Sequence, residues 1–292
     1  MKYNQSALKW AGSKQRVLPE LLPLLEKHLK ANPGAKFVEP FTGSATVAIN
    51  VNFSKKTIND INQDIKVVME SIKNHSEELI AYLETLFVTA NATVARYLEL
   101  RSQFNTRKFA SKIEQAGLFI YLNKHCFNGL CRYNSKGDYN TPPHSCCKTG
   151  IGPKVPAEQI RIMAVQLQNT KICNKDFLQV MDEAQDGDLI YADPPYFGFD
   201  KQEDTPTSFV NYSKEGFGML QQFALAQKAA EKAKEGVTVI ISNHATGTAI
   251  NLYRELGAKL YFVGVARSVG ASSATRQIVK EVIAVFRPKN KE

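Results

Sequence analysis

The pattern of apolar and polar positions is typical of an α/β fold. Short apolar runs of strand length alternate with longer segments whose apolar residues recur every three or four positions. Because Leu260–Val265 and Glu281–Phe286 are joined by a segment too short for a crossover helix, we expect these last two strands to pair antiparallel. The seven predicted strands are Phe37–Pro40, Lys56–Asn59, Thr170–Cys173, Asp188–Ala192, Val237–Ser242, Leu260–Val265 and Glu281–Phe286.

The pattern changes in the middle of the chain. Helices are predicted over Val17–Leu29, Ile160–Leu167 and Phe217–Ala233, between or beside the strands. From about Ile65 to Pro156 the spacing is helical throughout, and no alternation of strands and helices is found. This segment is therefore predicted to be inserted between two halves of an α/β domain.

Composition and charge narrow the classes of protein. The 292 residues are 43% hydrophobic, which supports a full core, and no apolar run approaches the length of a membrane span. The N-terminus is not followed by the apolar core of a signal peptide, so we expect a cytoplasmic protein. A net charge of +9 favours a polyanionic partner. Five cysteines, four of them clustered, are most simply free thiols.

A small-residue turn follows the first predicted strand. Gly43 allows a ligand to approach the backbone, and a helix is predicted from about Val47 to Val51. Asp60 lies 60 − 39 = 21 residues after Glu39, the spacing at which an acid accepts hydrogen bonds from a ribose in nucleotide-binding folds. Asp60 could equally cap a helix, and both roles are compatible. Trp10, the single tryptophan, could fill the core or wall a pocket beside Ala11 and Gly12.

A second turn, Asp193-Pro194-Pro195-Tyr196, ends the buried strand that begins at Asp188. Consecutive prolines cannot continue a sheet, so the chain must turn there in an extended shape. The turn offers a carboxylate, backbone carbonyls and an aromatic face, which suit a planar ring that bears an amino group. A proline-capped strand end with a surface aspartate is the simpler alternative.

A basic, aromatic-rich loop lies late in the inserted segment. From Lys124 to Lys154 there are five Lys or Arg residues against one acid, interleaved with aromatic and Asn residues. Such a composition suits readout of base edges and insertion between bases. A solvated hairpin would have a similar composition.

Three motifs in this order give the chain a family resemblance. A Phe-Val-Glu-Pro-Phe-x-Gly turn, an Asn-Gly-Leu-Cys-Arg-Tyr-Asn segment and Asp-Pro-Pro-Tyr resemble the α-class of amino-group DNA methyltransferases, specifically the Dam-type DNA adenine-N6 methyltransferases of the D12 family. The resemblance extends from Leu8 to Pro288. It implies a seven-stranded, Rossmann-like, S-adenosyl-L-methionine-dependent catalytic domain over residues 1–66 and 157–292. It also implies an inserted target-recognition domain over residues 67–156 and a Gly-Ala-Thr-Cys site in double-stranded DNA.

The resemblance also implies roles for individual residues. The catalytic set is Asp193, Pro194, Pro195 and Tyr196. The expected S-adenosyl-L-methionine site comprises Trp10, Ala11, Gly12, Lys14, Glu39, Pro40, Phe41, Gly43, Asp60, Asp176, Phe177 and Asp193. The residues expected at DNA are Lys9, Phe127, Asn128, Leu130, Arg132, Asn134 and Lys136.

The chain departs from the family pattern at a few positions. Ala45 stands where a second glycine is often found, and Phe127 stands where a tyrosine is common. The stretch Pro142–Lys148 differs from the usual aromatic and basic sequence. These differences leave the flanking-sequence preference and the phosphate contacts open.

The chemistry of the reaction assigns the turn residues. The Asp193 carboxylate and the Pro194 carbonyl can each accept one hydrogen of adenine N6, and Tyr196 can stack on the ring. The base must leave the duplex to be reached, and Phe127 can fill the vacated stack. No metal and no obligate protein partner are expected, and the enzyme is expected to be a monomer.

Two alternatives compete with this interpretation. Methylation of RNA or of a protein glutamine would use a similar proline-rich turn, but the basic insert favours DNA. The second alternative is a zinc-stabilised nucleic-acid-binding module. The sequence contains no Cys-x-x-Cys pair, which many zinc sites use, and this argues against it. Its ligands would come from His125, Cys126, Cys131, His144, Cys146 and Cys147.

Overall fold

The computed structural model describes residues 3–88, 92–149, 151–195, 217–268 and 276–288, which form a seven-stranded sheet flanked by helices. The strand order is β3-β2-β1-β4-β5-β7-β6, in which β7 runs antiparallel to both neighbours and the remaining pairs are parallel. This confirms the predicted Rossmann-like methyltransferase sheet, including the antiparallel final pair. The strands are β1 (Lys36–Glu39), β2 (Lys55–Asn59), β3 (Thr170–Cys173), β4 (Leu189–Ala192), β5 (Thr238–His244), β6 (Lys259–Ser268) and β7 (Arg276–Phe286).

The central strands are buried on both faces. Phe37 and Tyr191 pack into one apolar cluster, whereas their neighbours Val38 and Ala192 pack into a second. Successive side chains of a strand point to opposite faces, so the two clusters lie on the two sides of the sheet. A sheet covered in this way can place functional groups only at its edges and strand ends.

Helices cover the two faces unequally. Residues of α1 to α7 join the first cluster, and residues of α8, α9 and α10 join the second. The helices are α1 (Leu18–Ala31), α2 (Gln63–Asn74), α3 (Ser76–Leu86), α4 (Val94–Asn105), α5 (Lys112–His125), α6 (Cys146–Thr149), α7 (Ala157–Gln166), α8 (Phe177–Asp182), α9 (Met219–Lys234) and α10 (Gly247–Glu255). No helix in the described ranges is long and apolar enough to span a membrane.

The long segment between β2 and β3 is mainly helical, as its spacing indicates, with a non-helical stretch over residues 130–145. Helix α5 is its centre, contacts α2, α3 and α4, and is buried over most of its length. Leu118 of α5 and Ile65 of α2 belong to the same apolar cluster as Phe37 of the sheet. The segment therefore shares a core with the sheet, and the division at residues 67 and 156 stays a prediction.

The helix predicted after Gly43 is wrong. The chain makes only a single 3₁₀ turn at Ala48–Asn50, and Val51 is extended. Residues 45–49 are buried without an exposed face, and only three residues separate Val51 from the start of β2 at Lys55. An apolar run that is buried all round does not distinguish a helix from a compact turn.

Candidate active site

The carboxyl ends of β1, β2 and β4 meet at one edge of the sheet. β1 lies between β2 and β4 and runs parallel to both. Glu39 ends β1, Asp60 follows β2 and Asp193 follows β4. Three acids from distant parts of the chain are thereby brought to one crevice, where open α/β sheets bind their ligands.

Asp60 is tied to the turn that follows β1. Its Oδ2 accepts the backbone N–H of Gly43 at 3.0 Å, and its Oδ1 accepts the N–H of Asn62 at 2.9 Å. Burial raises the pKa of Asp60 to about 6, against the lowering effect of these two hydrogen bonds. The helix-capping alternative for Asp60 is wrong, because Asn62 caps α2 through the N–H of Asp64.

Glu39 lies beneath the same turn and is only 2% exposed. It accepts a hydrogen bond from the Thr42 hydroxyl at 3.0 Å. Burial, reinforced by the charge of Asp193, raises the pKa of Glu39 to about 8, so its neutral form predominates at pH 7. Nearby Lys56 donates to the Ala48 carbonyl at 2.9 Å, and burial lowers its pKa to about 8. These two groups support the turn rather than present charge to a ligand.

Trp10 packs against the glycine of this turn. Gly43 has a φ of +47°, and a Cβ atom there would lie 2.5 Å from Trp10 Nε1. The partly buried indole also packs against the first apolar cluster. Trp10 thus borders the core and covers the turn, and its role as the wall of a ligand pocket stays a prediction. Ala11 is partly buried, and Gly12 is exposed with a φ of 81°.

Lys14 connects the N-terminal segment to the proline turn. Its side chain is 2% exposed, and Nζ lies 2.7 Å from Asp193 Oδ1. The same nitrogen donates to the Gly12 carbonyl at 3.2 Å and lies 3.9 Å from Glu281 Oε2 on β7. The Asp193 side chain is 21% exposed, so the ion pair lies at the boundary of the core and the crevice. Glu281 was not identified from the sequence.

Three aromatic rings pack against one another beyond the ends of β1 and β3. The Phe41 ring centroid lies 5.2 Å from that of Phe177 and 5.3 Å from that of Phe217. The carbonyl of Pro40 accepts a hydrogen bond from the Asn59 side chain at 3.0 Å, which holds the backbone just before Phe41. Exposed Asp176 caps α8 by accepting the Leu178 N–H at 2.9 Å.

The proline turn begins where the β4 ladder ends. Ala192 pairs with Ile241 of β5, and Pro194 beyond it is buried. The Pro195 carbonyl accepts a hydrogen bond from Gln222 of α9 at 2.7 Å. Tyr196, the fourth residue of the predicted catalytic set, lies outside the described residues.

The predicted DNA-contacting residues follow α5. Phe127 and Asn128 are exposed, Phe127 by 49%, in a short turn where Asn128 has a φ of 53°. Arg132 is also exposed, and its Nε donates to Asn140 Oδ1 at 2.9 Å. Leu130 is partly buried, between the exposed turn and the core.

Residues 132–140 form a hairpin in which Tyr133 and Tyr139 make an antiparallel bridge, and Asn134 and Lys136 lie at its tip. The Asn134 side chain accepts the N–H groups of Lys136 and Asp138, each at 2.9 Å, so it shapes the hairpin turn. Lys136 is exposed. Their contacts with DNA stay predictions.

Asn123 holds the two halves of this surface together. Its side chain accepts the Lys9 N–H at 2.9 Å and donates to the Lys9 carbonyl at 2.7 Å. Gly129, with a φ of +69°, lies so close that its Cβ would be 2.4 Å from that of Lys9. Exposed Lys9 is thereby fixed beside the Phe127 turn. Asn123 was not identified from the sequence because its partner lies 114 residues away.

Asp64 anchors the hairpin to α2. It is 4% exposed and makes charge-assisted contacts with Arg107 Nη1 at 2.8 and 2.9 Å. It also accepts from Gln115 at 2.8 Å and from the Tyr133 hydroxyl at 2.7 Å. A buried carboxylate with this many donors holds its surroundings in one arrangement.

The candidate metal ligands have other partners. The His125 ring stacks on Tyr121 with centroids 4.0 Å apart, and its Nδ1 lies 2.9 Å from the Tyr121 carbonyl oxygen. Cys126 and Cys131 are buried, and burial raises the pKa of both thiols. Across the described ranges, no group of three or more His, Cys, Asp or Glu side chains is arranged to hold a metal ion.

Comparison with known proteins identifies the family. The family model for D12 class N6 adenine-specific DNA methyltransferases matches residues 10–269. The chain belongs to this family. The DNA adenine methylase of Escherichia coli K12 is 33% identical over 288 residues, which cover 99% of this chain and 97% of the relative. The DNA adenine methylase of Vibrio cholerae O395 is 35% identical over 290 residues, which cover 99% and 98%.

Among solved structures, precorrin-6y C5,15-methyltransferase from Geobacter metallireducens GS-15 aligns over 98% of this D12 chain and 100% of its own. Its sequence identity is 9% and the TM-score is 0.38.

Gly43→Ala should destabilise this D12 methyltransferase by about 1–3 kcal/mol, because the new Cβ meets the indole and the backbone conformation disfavours a side chain. Gly34→Ala is the matched control, since a Cβ at Gly34 has open space around it. Denaturant unfolding followed by the fluorescence of Trp10 measures both variants. Equal free energies of unfolding for the two variants would contradict the close packing of Gly43 and Trp10.

Proposed function

We propose that this enzyme transfers a methyl group from S-adenosyl-L-methionine to N6 of an adenine flipped out of double-stranded DNA, within a GATC site. The observation that carries the proposal is the position of the Asp193-Pro194 turn. It lies at the same sheet edge as the Trp10, Gly43 and Asp60 cluster, with Lys14 bound to Asp193 at 2.7 Å. We include in the proposal the cytoplasmic, monomeric state expected from the sequence.

The residues of the crevice fit an S-adenosyl-L-methionine molecule. Gly43 leaves the backbone of the turn without a side chain, and Asp60 is a partly exposed acid fastened to that backbone at 3.0 Å. Such an acid suits ribose hydroxyl groups. The rings of Phe41 and Phe177 offer apolar surface for a purine. When bound, the molecule supplies an electrophilic methyl group on a sulfonium.

The proline turn, Asp193 to Pro195, is called the acceptor turn from here on, because its oxygen atoms accept hydrogen bonds from the nucleophile, adenine N6. The lone pair of adenine N6 is delocalised into the ring, so the amino group must be held in a geometry that makes this pair available. The Asp193 carboxylate and the Pro194 carbonyl each accept one N6 hydrogen, and Lys14 restricts the orientation of that carboxylate. A strong base is not required before transfer, because the proton can be lost afterwards.

The exposed surface beside Lys9 supplies the DNA contacts. Phe127, exposed in the turn that precedes Asn128, can occupy the space left by the flipped base. The guanidinium of Arg132 has a geometry suited to O6 and N7 of guanine. Its hydrogen bond to Asn140 restricts the plane of the group. Lys136 is positioned to contact phosphate.

The loss of one preorganised polar contact in an active site lowers the rate on the order of 10²–10³-fold. Asp193→Ala should reduce the rate of methyl transfer by more than this. DNA affinity should be largely kept, because phosphate contacts supply most of it. The measurement is transfer of labelled methyl from S-adenosyl-L-methionine to plasmid DNA, with mapping of the modified base, beside a DNA-binding titration. Near-normal turnover by the variant would exclude Asp193 from the mechanism.

Asp60 should make cofactor affinity depend on pH. With its pKa near 6, the carboxyl gains a proton as the pH falls through about 6 and becomes a weaker acceptor for the ribose, so the dissociation constant should rise below that pH. Asp60→Asn should bind weakly and without this dependence. Quenching of the single tryptophan, Trp10, by S-adenosyl-L-methionine provides the titration. A wild-type dissociation constant that is constant across this range would refute the ribose assignment.

Arg132→Ala should weaken the free energy of binding to the specific DNA site by about 1–3 kcal/mol and relax discrimination at one base pair of that site. The control, Lys136→Ala, should weaken binding to all DNA sequences alike. It should also reduce, by roughly one unit, the steepness with which the logarithm of the binding constant falls with the logarithm of the salt concentration. Methylation of GATC and of each singly substituted site, at two salt concentrations, separates the two effects. Equal losses on every substrate for Arg132→Ala would place base recognition elsewhere in the insert.

A further inference from the structure

Gln222 lies in the first turns of α9, directly against the acceptor turn. It is 1% exposed, and its Nε2 donates to the Pro195 carbonyl at 2.7 Å. Its Oε1 accepts from Asn243 Nδ2 at 3.2 Å. Burying an amide is unfavourable unless its polar atoms are paired, so this side chain is held at both ends.

The sequence of the turn explains why a side chain is needed there. Pro194 and Pro195 have no backbone N–H, so neither can be fixed by donating a hydrogen bond. The β4 ladder ends at Ala192. Beyond that point the backbone of the two prolines can be held only through their carbonyl groups, and Gln222 holds that of Pro195.

The orientation of the Gln222 amide follows from its partners. A carbonyl only accepts, so the nitrogen must face Pro195 and the oxygen must face Asn243. Asn243 is fully buried and is oriented in turn, because its Oδ1 accepts the His244 N–H at 2.8 Å. Its Nδ2 also donates to the Tyr253 hydroxyl at 3.0 Å. Burial raises the pKa of Tyr253 to about 12, so this hydroxyl is neutral.

We propose that Gln222 is a positioning residue for methyl transfer: it fixes the Pro195 carbonyl, and with it the turn that presents Asp193 and Pro194 to adenine. This inference rests on the proposed function. Asn243 and Tyr253 extend the same support from β5 and α10. The polar chain thus joins the acceptor turn to strand β5 and to two helices, α9 and α10, that pack on the second face of the sheet.

The decisive variant is Gln222→Met, which keeps a similar length and volume but has no donor. Displacement of the turn by about 1 Å should slow single-turnover methylation by about 10²-fold. The dissociation constants for S-adenosyl-L-methionine and DNA should be unchanged, because Gln222 is buried beneath the turn. Gln227→Met, at an exposed position of the same helix, is the matched control and should methylate at the wild-type rate.

A second variant, Gln222→Glu, separates positioning from a purely structural role. A carboxyl group at this position can donate to Pro195 only while it is protonated. The ratio of its rate to that of wild type should therefore rise as the pH falls, and taking the ratio removes ionisations common to both. Circular dichroism of each variant at the assay temperature restricts the comparison to folded protein.

Three outcomes would overturn the inference. They are a Gln222→Met rate equal to that of the Gln227→Met control, a loss of rate no larger than the unfolded fraction of the variant, and a Gln222→Glu ratio that does not change with pH. Failure of the proposed function is distinct, because wild-type protein would then transfer no methyl group to DNA. Active wild type with fully active Gln222→Met would refute the positioning role alone.

Discussion

The site depends on the parallel register of β1 with its two neighbours. Val38 pairs with Thr57 of β2 and with Ile190 of β4, so the three strands end at nearly the same level. That register brings the residues that follow each strand into contact, as shown by the 3.0 Å hydrogen bond from Gly43 to Asp60. A slip of one residue would turn every side chain of a strand to the other face and would also separate these groups.

The same convergence concentrates charge in a place where charge is unfavourable. Glu39 is predominantly neutral at pH 7 because it is buried close to Asp193, whereas Asp193 is paired with buried Lys14. A buried ion pair contributes little net stability, since desolvation of both groups offsets their attraction. The Lys14–Asp193 pair is better explained by the orientation that it imposes on the carboxylate.

Much of the fold and part of the site could be predicted because their determinants are local. The strand at Thr170–Cys173 has the predicted bounds, and Asp60 follows its strand as its spacing indicated. The prediction of a helix after Gly43 was wrong, because an apolar run that is buried on all sides shows no periodicity from which to infer a helix. Asn123 and Gln222 could not be found, because their partners lie 114 and 27 residues away and only the folded chain brings them together.

The beginning of α2 joins the two halves of the site. The N–H of Asn62 binds Asp60 at 2.9 Å, while its side-chain nitrogen donates to the Tyr133 hydroxyl at 3.3 Å. Tyr133 also donates to Asp64 at 2.7 Å and follows Arg132 in the chain. Asp60, proposed to bind the cofactor, and the hairpin proposed to bind DNA are therefore both hydrogen-bonded to the first turn of α2. Methyl transfer requires the two reactants in one alignment, and a shared anchor meets that requirement without a flexible connection between two separately packed units.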